Sequence, residues 1–161
     1  MENLSKIKAG IKKELLRMEE DCTYTSKSHF NCADSLRKCY YIIGIPLVIL
    51  TALSTQYCIK WITVSAFILS AIQTFINPYK VAELHKVAGN SYLEIKNKIR
   101  GLYSYEIYNL SDSEAIENIN CLKDGINKIN KNSPIPLNSG FKKAIKGIEN
   151  GEAEYKIDKE G

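Results

Sequence analysis

The chain has 161 residues, a formal charge of +4, and 45% hydrophobic and 25% charged residues. These averages exclude a disordered chain, a collagen-like repeat and a dense disulfide scaffold, and the length suits one domain with a short appendage. The charge is unevenly placed: residues 39–59 contain no Asp, Glu, Lys or Arg, Lys60 follows, and residues 61–79 again contain none.

In chain order, the first element is an amphipathic helix. Leu4, Ile7, Ile11, Leu15, Met18 and Cys22 recur at steps of three or four, the spacing of an apolar seam. No proline interrupts residues 1–45, so this helix is expected to run on into the apolar stretch. The weakest part is 23–28, Thr-Tyr-Thr-Ser-Lys-Ser, where hydroxyl side chains compete for backbone hydrogen bonds and a break is expected.

The two charge-free stretches come next. A bilayer core about 30 Å thick is crossed by about 20 mostly apolar helical residues, and both stretches reach that length. Tyr40 and Tyr41 stand at one end of the first, Tyr57 and Trp61 at the connecting turn, and Tyr79 at the exit of the second, where amphipathic rings favour the headgroup level. The competing arrangement, a soluble hairpin hidden in a bundle core, asks a small domain to cover two such helices side by side. A cleaved signal peptide is not expected, because the apolar run begins near residue 40 after a long charged segment. Pro46, two residues after Gly44, predicts a kink inside the first span, and Asn77-Pro78 predicts a bend or fresh helix start at the end of the second.

Beyond the hairpin, Leu84, Ala88, Tyr92, Ile95, Ile99 and Leu102 mark the apolar face of a helix expected to reach about residue 108. Ser111 and Glu114 form a capping box opening a helix with Ile116, Ile119, Leu122, Ile126 and Ile129. A loop over 132–140 precedes a short helix with Phe141, Ile145 and Ile148 and a polar tail. The expected fold is therefore all-α: a two-helix transmembrane hairpin with amphipathic cytosolic helices, oligomeric in its working form. Its parts are a cytosolic helix at 1–38, a hairpin at 39–79 with spans about 40–59 and 61–78, cytosolic helices at 80–131, and the loop, short helix and tail at 132–161.

Lys and Arg set the orientation. Eight precede the first span, Lys60 alone lies in the turn, and thirteen follow the second span. The positive-inside rule places both ends in the cytoplasm. Cys22, Cys32 and Cys121 would then be reduced, with Cys39 and Cys58 near opposite ends of the first span, and no CxxC spacing supports zinc.

No catalytic motif is present: no GxSxG, P-loop or HExxH, and only two histidines, His29 and His85. Both are read as structural or interface groups, and the chain as a non-enzyme without metal or cofactor. The positive charge fits juxtamembrane anchoring, and no direct nucleic-acid binding is expected. The spans carry a sharper pattern. Ala66, Ser70, Gln73 and Asn77 share one face of the second, and Gly44, Val48, Thr51 and Thr55 one face of the first. Thr51, Thr55, Ala66, Ser70, Gln73 and Asn77 either pack helix on helix or line a pore, and both uses stay open. One hairpin cannot enclose a water-filled path, so conduction needs an oligomer. Gly44, Pro46 and Pro78 are the candidate hinges.

These residues carry a family resemblance over about 20–105. His29-Phe30-Asn31-Cys32-Ala33, Gly44-Ile45-Pro46, Gln73-Thr74-Phe75-Ile76-Asn77-Pro78, and His85 with Ala88 and Tyr92 together resemble the SLATT proteins, the SMODS- and SLOG-associating two-transmembrane effectors of bacteria. The resemblance implies an anti-phage effector in the inner membrane, multi-pass, that permeabilises or depolarises it when activated. It also implies action beside a nucleotide-signal synthase, a sensor or a reverse transcriptase; 161 residues leave no room for a fused one, so the sensor is expected to be a separate partner, or else the cytosolic helices sense the signal themselves. It supplies no pore residues; the polar stripe is an inference from spacing. The competing reading is a non-conducting membrane anchor or scaffold for a cytosolic partner complex.

Overall fold

A computed structural model of the chain describes residues 2–57 and 60–153, with side chains from residue 8 onward. Leu4 and Ile7 of the predicted seam, Cys58 in the hairpin turn and the end of the polar tail lie outside what is described. The elements are α1 (Glu2–Tyr57), α2 (Lys60–Ile76), α3 (Pro78–Gly101), a π-helical turn (Leu102–Glu106), α4 (Asp112–Asn132) and α5 (Asn138–Glu149). No strand occurs among the described residues, as the all-α reading requires.

α1 is 56 residues long, about 84 Å at the helical rise. It passes through 23–28 without the expected break. Two of the hydroxyls there turn back onto their own helix: Thr23 Oγ1 donates to the Glu19 carbonyl at 2.8 Å and Ser26 Oγ to the Thr23 carbonyl at 3.1 Å. Ser26 and Ser28 are buried, so small side chains at this point let neighbouring helices approach rather than ending the helix. α1 is also continuous through Pro46, whose ring nitrogen cannot donate to the Ile42 carbonyl.

α3 runs antiparallel to α1. The register is fixed by Tyr40 against Tyr79, Arg37 against Glu83, Phe30 against Gly89 and Glu19 against Arg100. Gly89 is required for this approach, because a Cβ there would come within 2.9 Å of the Phe30 ring. The core lies at the end of the bundle far from the hairpin. Ile11, Leu15, Met18 and Cys22 of α1 meet Tyr92, Ile95, Ile99 and Leu102 of α3, with Ile107, Ala115 and Ile119 closing it. The predicted seam is thus the core face wherever its side chains are described.

Three predictions about the bundle change on inspection. On α3, Leu84 is exposed and His85 is buried in its place. The helix does not continue regularly to residue 108; the π turn intervenes, with Ile107 N–H donating to the Leu102 carbonyl at 2.9 Å. Five-residue spacing would carry Ile107 off the α-helical face of Leu102, and the wider turn lets both side chains bury. On α5 the buried face is Gly140, Ala144 and Gly147, leaving Phe141 about half exposed. The capping box is present as read: Ser111 Oγ accepts from Glu114 N–H at 3.3 Å, and Glu114 accepts from Ser111 N–H at 2.8 Å.

The hairpin differs in kind. Two helices are long and apolar enough to cross a membrane, and none of the most apolar part of α1 is buried. A soluble core would have to cover these helices, and it does not. Phe75 is 88% exposed, Phe67 74% and Val48 70%. Leaving such rings and branched chains bare to water over two adjacent helices is untenable, whereas lipid is their solvent.

Candidate functional site

The site is the hairpin together with the α1/α3 junction beneath it. Within the hairpin, α1 and α2 face each other through small and amide groups. Ala66 is buried. Gly44 lies against Gln73, whose amide nitrogen would stand 3.4 Å from a Cβ at Gly44. Gly44, Ala66 and Gln73 therefore close the inner seam, the small-residue contact that lets apolar helices pack in lipid.

The other stripe positions lie elsewhere. Val48, Thr51 and Thr55 are on the outer surface of α1, and Ser70 on that of α2. Thr51 Oγ1 donates to the Leu47 carbonyl at 2.8 Å and Thr55 Oγ1 to the Ala52 carbonyl at 2.7 Å, so both hydroxyl protons are satisfied within the helix. Their oxygens keep lone pairs for a partner. The sequence stripes are thus divided between an inner seam and an outward hydroxyl surface.

Asn77 is not part of α2. It holds a left-handed conformation (φ 41°, ψ 63°), and its Oδ1 accepts from Lys80 N–H at 3.1 Å, capping α3. Asn tolerates that region better than most side chains. Pro78 follows at the first helical position, where no donor is needed, and its side chain is buried. The return limb of the hairpin therefore breaks at one residue, while α1 does not break at all. At this level the Tyr40 and Tyr79 rings meet at 5.5 Å, and one turn farther down Arg37 Nη2 lies 3.1 Å from Glu83 Oε1.

Below them lies the feature that sequence reading missed. His29 and His85 are both buried, with their Nδ1 atoms 2.9 Å apart. One ring must carry its proton on Nδ1 and the other on Nε2, so that one donates and the other accepts. Burial, and then the neighbouring imidazole, lowers the pKa of His29 to about 4; burial also lowers that of His85. Tyr92 stacks on His29 at 5.6 Å and its hydroxyl donates to Asn130 Oδ1. This chain of contacts ties α1, α3 and α4 together. The available signal was the run of small residues around His85, Ala82, Ala88 and Gly89, which marks the face of closest approach.

A second polar knot sits deeper in the bundle. Glu19 accepts from Arg100 Nη2 at 2.7 Å and Nε at 3.2 Å, and from the Tyr103 hydroxyl at 2.9 Å. Among the described residues no group of three or more His, Cys, Asp or Glu is placed to hold a metal ion. The two imidazoles are engaged with each other, so the arrangement is suited to coupling helices.

A family model described as SMODS and SLOG-associating 2TM effector domain family 4 matches residues 12–160, nearly the whole chain. No curated protein and no solved structure matches the chain.

Proposed function

This chain belongs to family 4 of the SMODS and SLOG-associating 2TM effector domains, and from that premise we propose that it is a gated membrane effector of bacterial anti-phage defence. Several copies assemble in the inner membrane, and a nucleotide signal or a partner sensor switches them to a state that permeabilises or depolarises it. Both termini face the cytoplasm, as the Lys and Arg excess on either side of the hairpin favours.

The observation that carries this reading is the outer surface of the hairpin. It is apolar over most of its area, yet it presents Thr51, Thr55 and Ser70 outward while Gly44, Ala66 and Gln73 close the inside. The Thr51 and Thr55 hydroxyls donate within their own helix, and their oxygens keep lone pairs that lipid tails cannot use but a neighbouring hairpin or water can. In an assembly they contact neighbouring hairpins in one state and water in another. The connection to the signal is α1 itself: a change in how α1 packs on α3 is transmitted into the span without an intervening linker. The activating ligand or partner must bind the open arrangement more tightly than the closed one.

The test is membrane potential and dye entry in cells expressing the chain with its neighbouring gene, before and after activation. Depolarisation on activation is expected. Full polarisation under activating conditions, with the chain inserted, would overturn the proposal in favour of a non-conducting anchor.

A further inference from the structure

We propose that the segment from Pro134 to Lys143 is a second membrane contact, docked on the anionic headgroup surface of the bilayer that α1 and α2 cross. This rests on the hairpin spanning the membrane and is independent of whether it conducts.

The height of the segment is set by its contacts with α1. Leu137 N–H donates to Cys32 Sγ at 3.2 Å, Asn31 Nδ2 to the Gly140 carbonyl at 3.2 Å, and Lys143 Nζ to Ser35 Oγ at 3.4 Å. Those partners lie only four to eight residues before Cys39, where the charge-free stretch begins. At the helical rise that is about 6–12 Å, beside a headgroup layer about 5–8 Å deep. The seat is tight. A Cβ at Gly140 would overlap Cys32 Sγ and come 2.9 Å from the Ser28 carbonyl oxygen, so α5 is held close against α1 at this height.

The segment presents apolar side chains outward at that level. Ile135 is 89% exposed, and Leu137 and Phe141 are about half exposed. A single exposed apolar side chain is ordinary. Here Ile135 stands between Pro134 and Pro136. Each ring fixes its own φ and keeps the preceding residue extended, so Ile135 is held out by the backbone around it. On α5 the small residues Gly140, Ala144 and Gly147 take the buried face, which turns Phe141 outward beside Lys142 and Lys143.

Charge identifies the occupant. Lys38, Lys80, Lys86, Lys142 and Lys143 are all exposed on the helices at this end of the bundle. Of the nearby acids, Glu83 is paired with Arg37, leaving Asp34. Apolar side chains ringed by lysines, next to the point where the chain enters lipid, match a headgroup surface bearing negative charge.

The full-length chain serves as its own control, because Trp61 is its only tryptophan. The chain is reconstituted in phosphatidylcholine vesicles with and without phosphatidylglycerol, and emission is read with lipids brominated high on the acyl chain. Ile135→Trp in a Trp61→Phe background should be blue-shifted and quenched, about twofold more strongly in the anionic vesicles. Lys142→Gln with Lys143→Gln should weaken that preference, with Lys38, Lys80 and Lys86 still in place, and an unchanged preference overturns the role given to charge. Water-like, unquenched emission in both vesicle types overturns the proposal. Blue-shifted emission that bromine does not quench also overturns it, and assigns the segment to a second copy of the chain. If bromolipids fail to quench native Trp61, the spanning hairpin itself is wrong, which separates that failure from this one.

Discussion

The hairpin and the bundle beneath it are built from one continuous helix, yet they are held together by opposite means. In the bundle, α1 meets α3 through buried Leu15 and Ile99, a histidine pair and the Glu19–Arg100–Tyr103 knot, each with its partner within the chain. In the hairpin, α1 meets α2 along a thin seam of Gly44, Ala66 and Gln73 and leaves nearly everything else facing outward. The lower half is self-sufficient; the upper half is completed by lipid and by whatever packs on it. Substitutions should therefore change folding stability below and membrane behaviour above.

The strongest test of that division is pH. His29 keeps its proton off until about pH 4, whereas an unfolded imidazole protonates near 6.5. Bundle stability should be at its full value above pH 6.5 and fall as pH drops toward 4, with His29 alone contributing about 3 kcal/mol and buried His85 adding to the loss. Thermal unfolding followed by circular dichroism in detergent reads this, and His29→Leu should flatten the slope between those limits. Gly140→Leu comes next, costing about 2 kcal/mol as α5 is forced off Cys32. Limited proteolysis should then cut first between α4 and α5.

Glu19→Ala should cost about 1.5 kcal/mol in the same unfolding experiment, because it strips an acceptor shared by Arg100 and Tyr103. The smallest stability effect belongs to the hairpin surface. Ser70→Leu should change bundle stability by less than about 0.5 kcal/mol while altering dye leakage after activation. Gln73→Leu acts on the inner seam against Gly44 instead of the surface, and it too should alter leakage with insertion intact. Unchanged leakage in both would reduce the stripe to packing alone, and a large loss of bundle stability would erase the distinction between the halves.

How much of this was legible depends on the length scale of the signal. The spans were plain because charge is absent over two whole stretches, and the core seam of α1 because Ile11, Leu15, Met18 and Cys22 repeat at helical spacing. The Ser111–Glu114 cap was readable because both partners lie within one turn. Features set by the approach of distant segments were not. His29 and His85 stand 56 positions apart, and only the antiparallel register brings their rings together. The hydroxyl run at 23–28 looked like a break because its local preference is real; buried contact with α3 and α5 overrides it. Phe141, Ile145 and Ile148 marked the apolar positions of the last helix, but Gly140, Ala144 and Gly147 took the tight face. Size complementarity, which hydropathy does not encode, chose that face.

The single left-handed residue at Asn77 makes the two limbs of the hairpin mechanically unequal. Twist applied to α1 below the membrane crosses no helix break on its way into the span and meets only the one missing backbone bond at Pro46. The same twist applied to α3 meets a swivel before it reaches α2. In the assembly proposed above, the α1 limbs would turn ahead of the α2 limbs, and the seam holding Gly44 against Gln73 is where the two motions would shear.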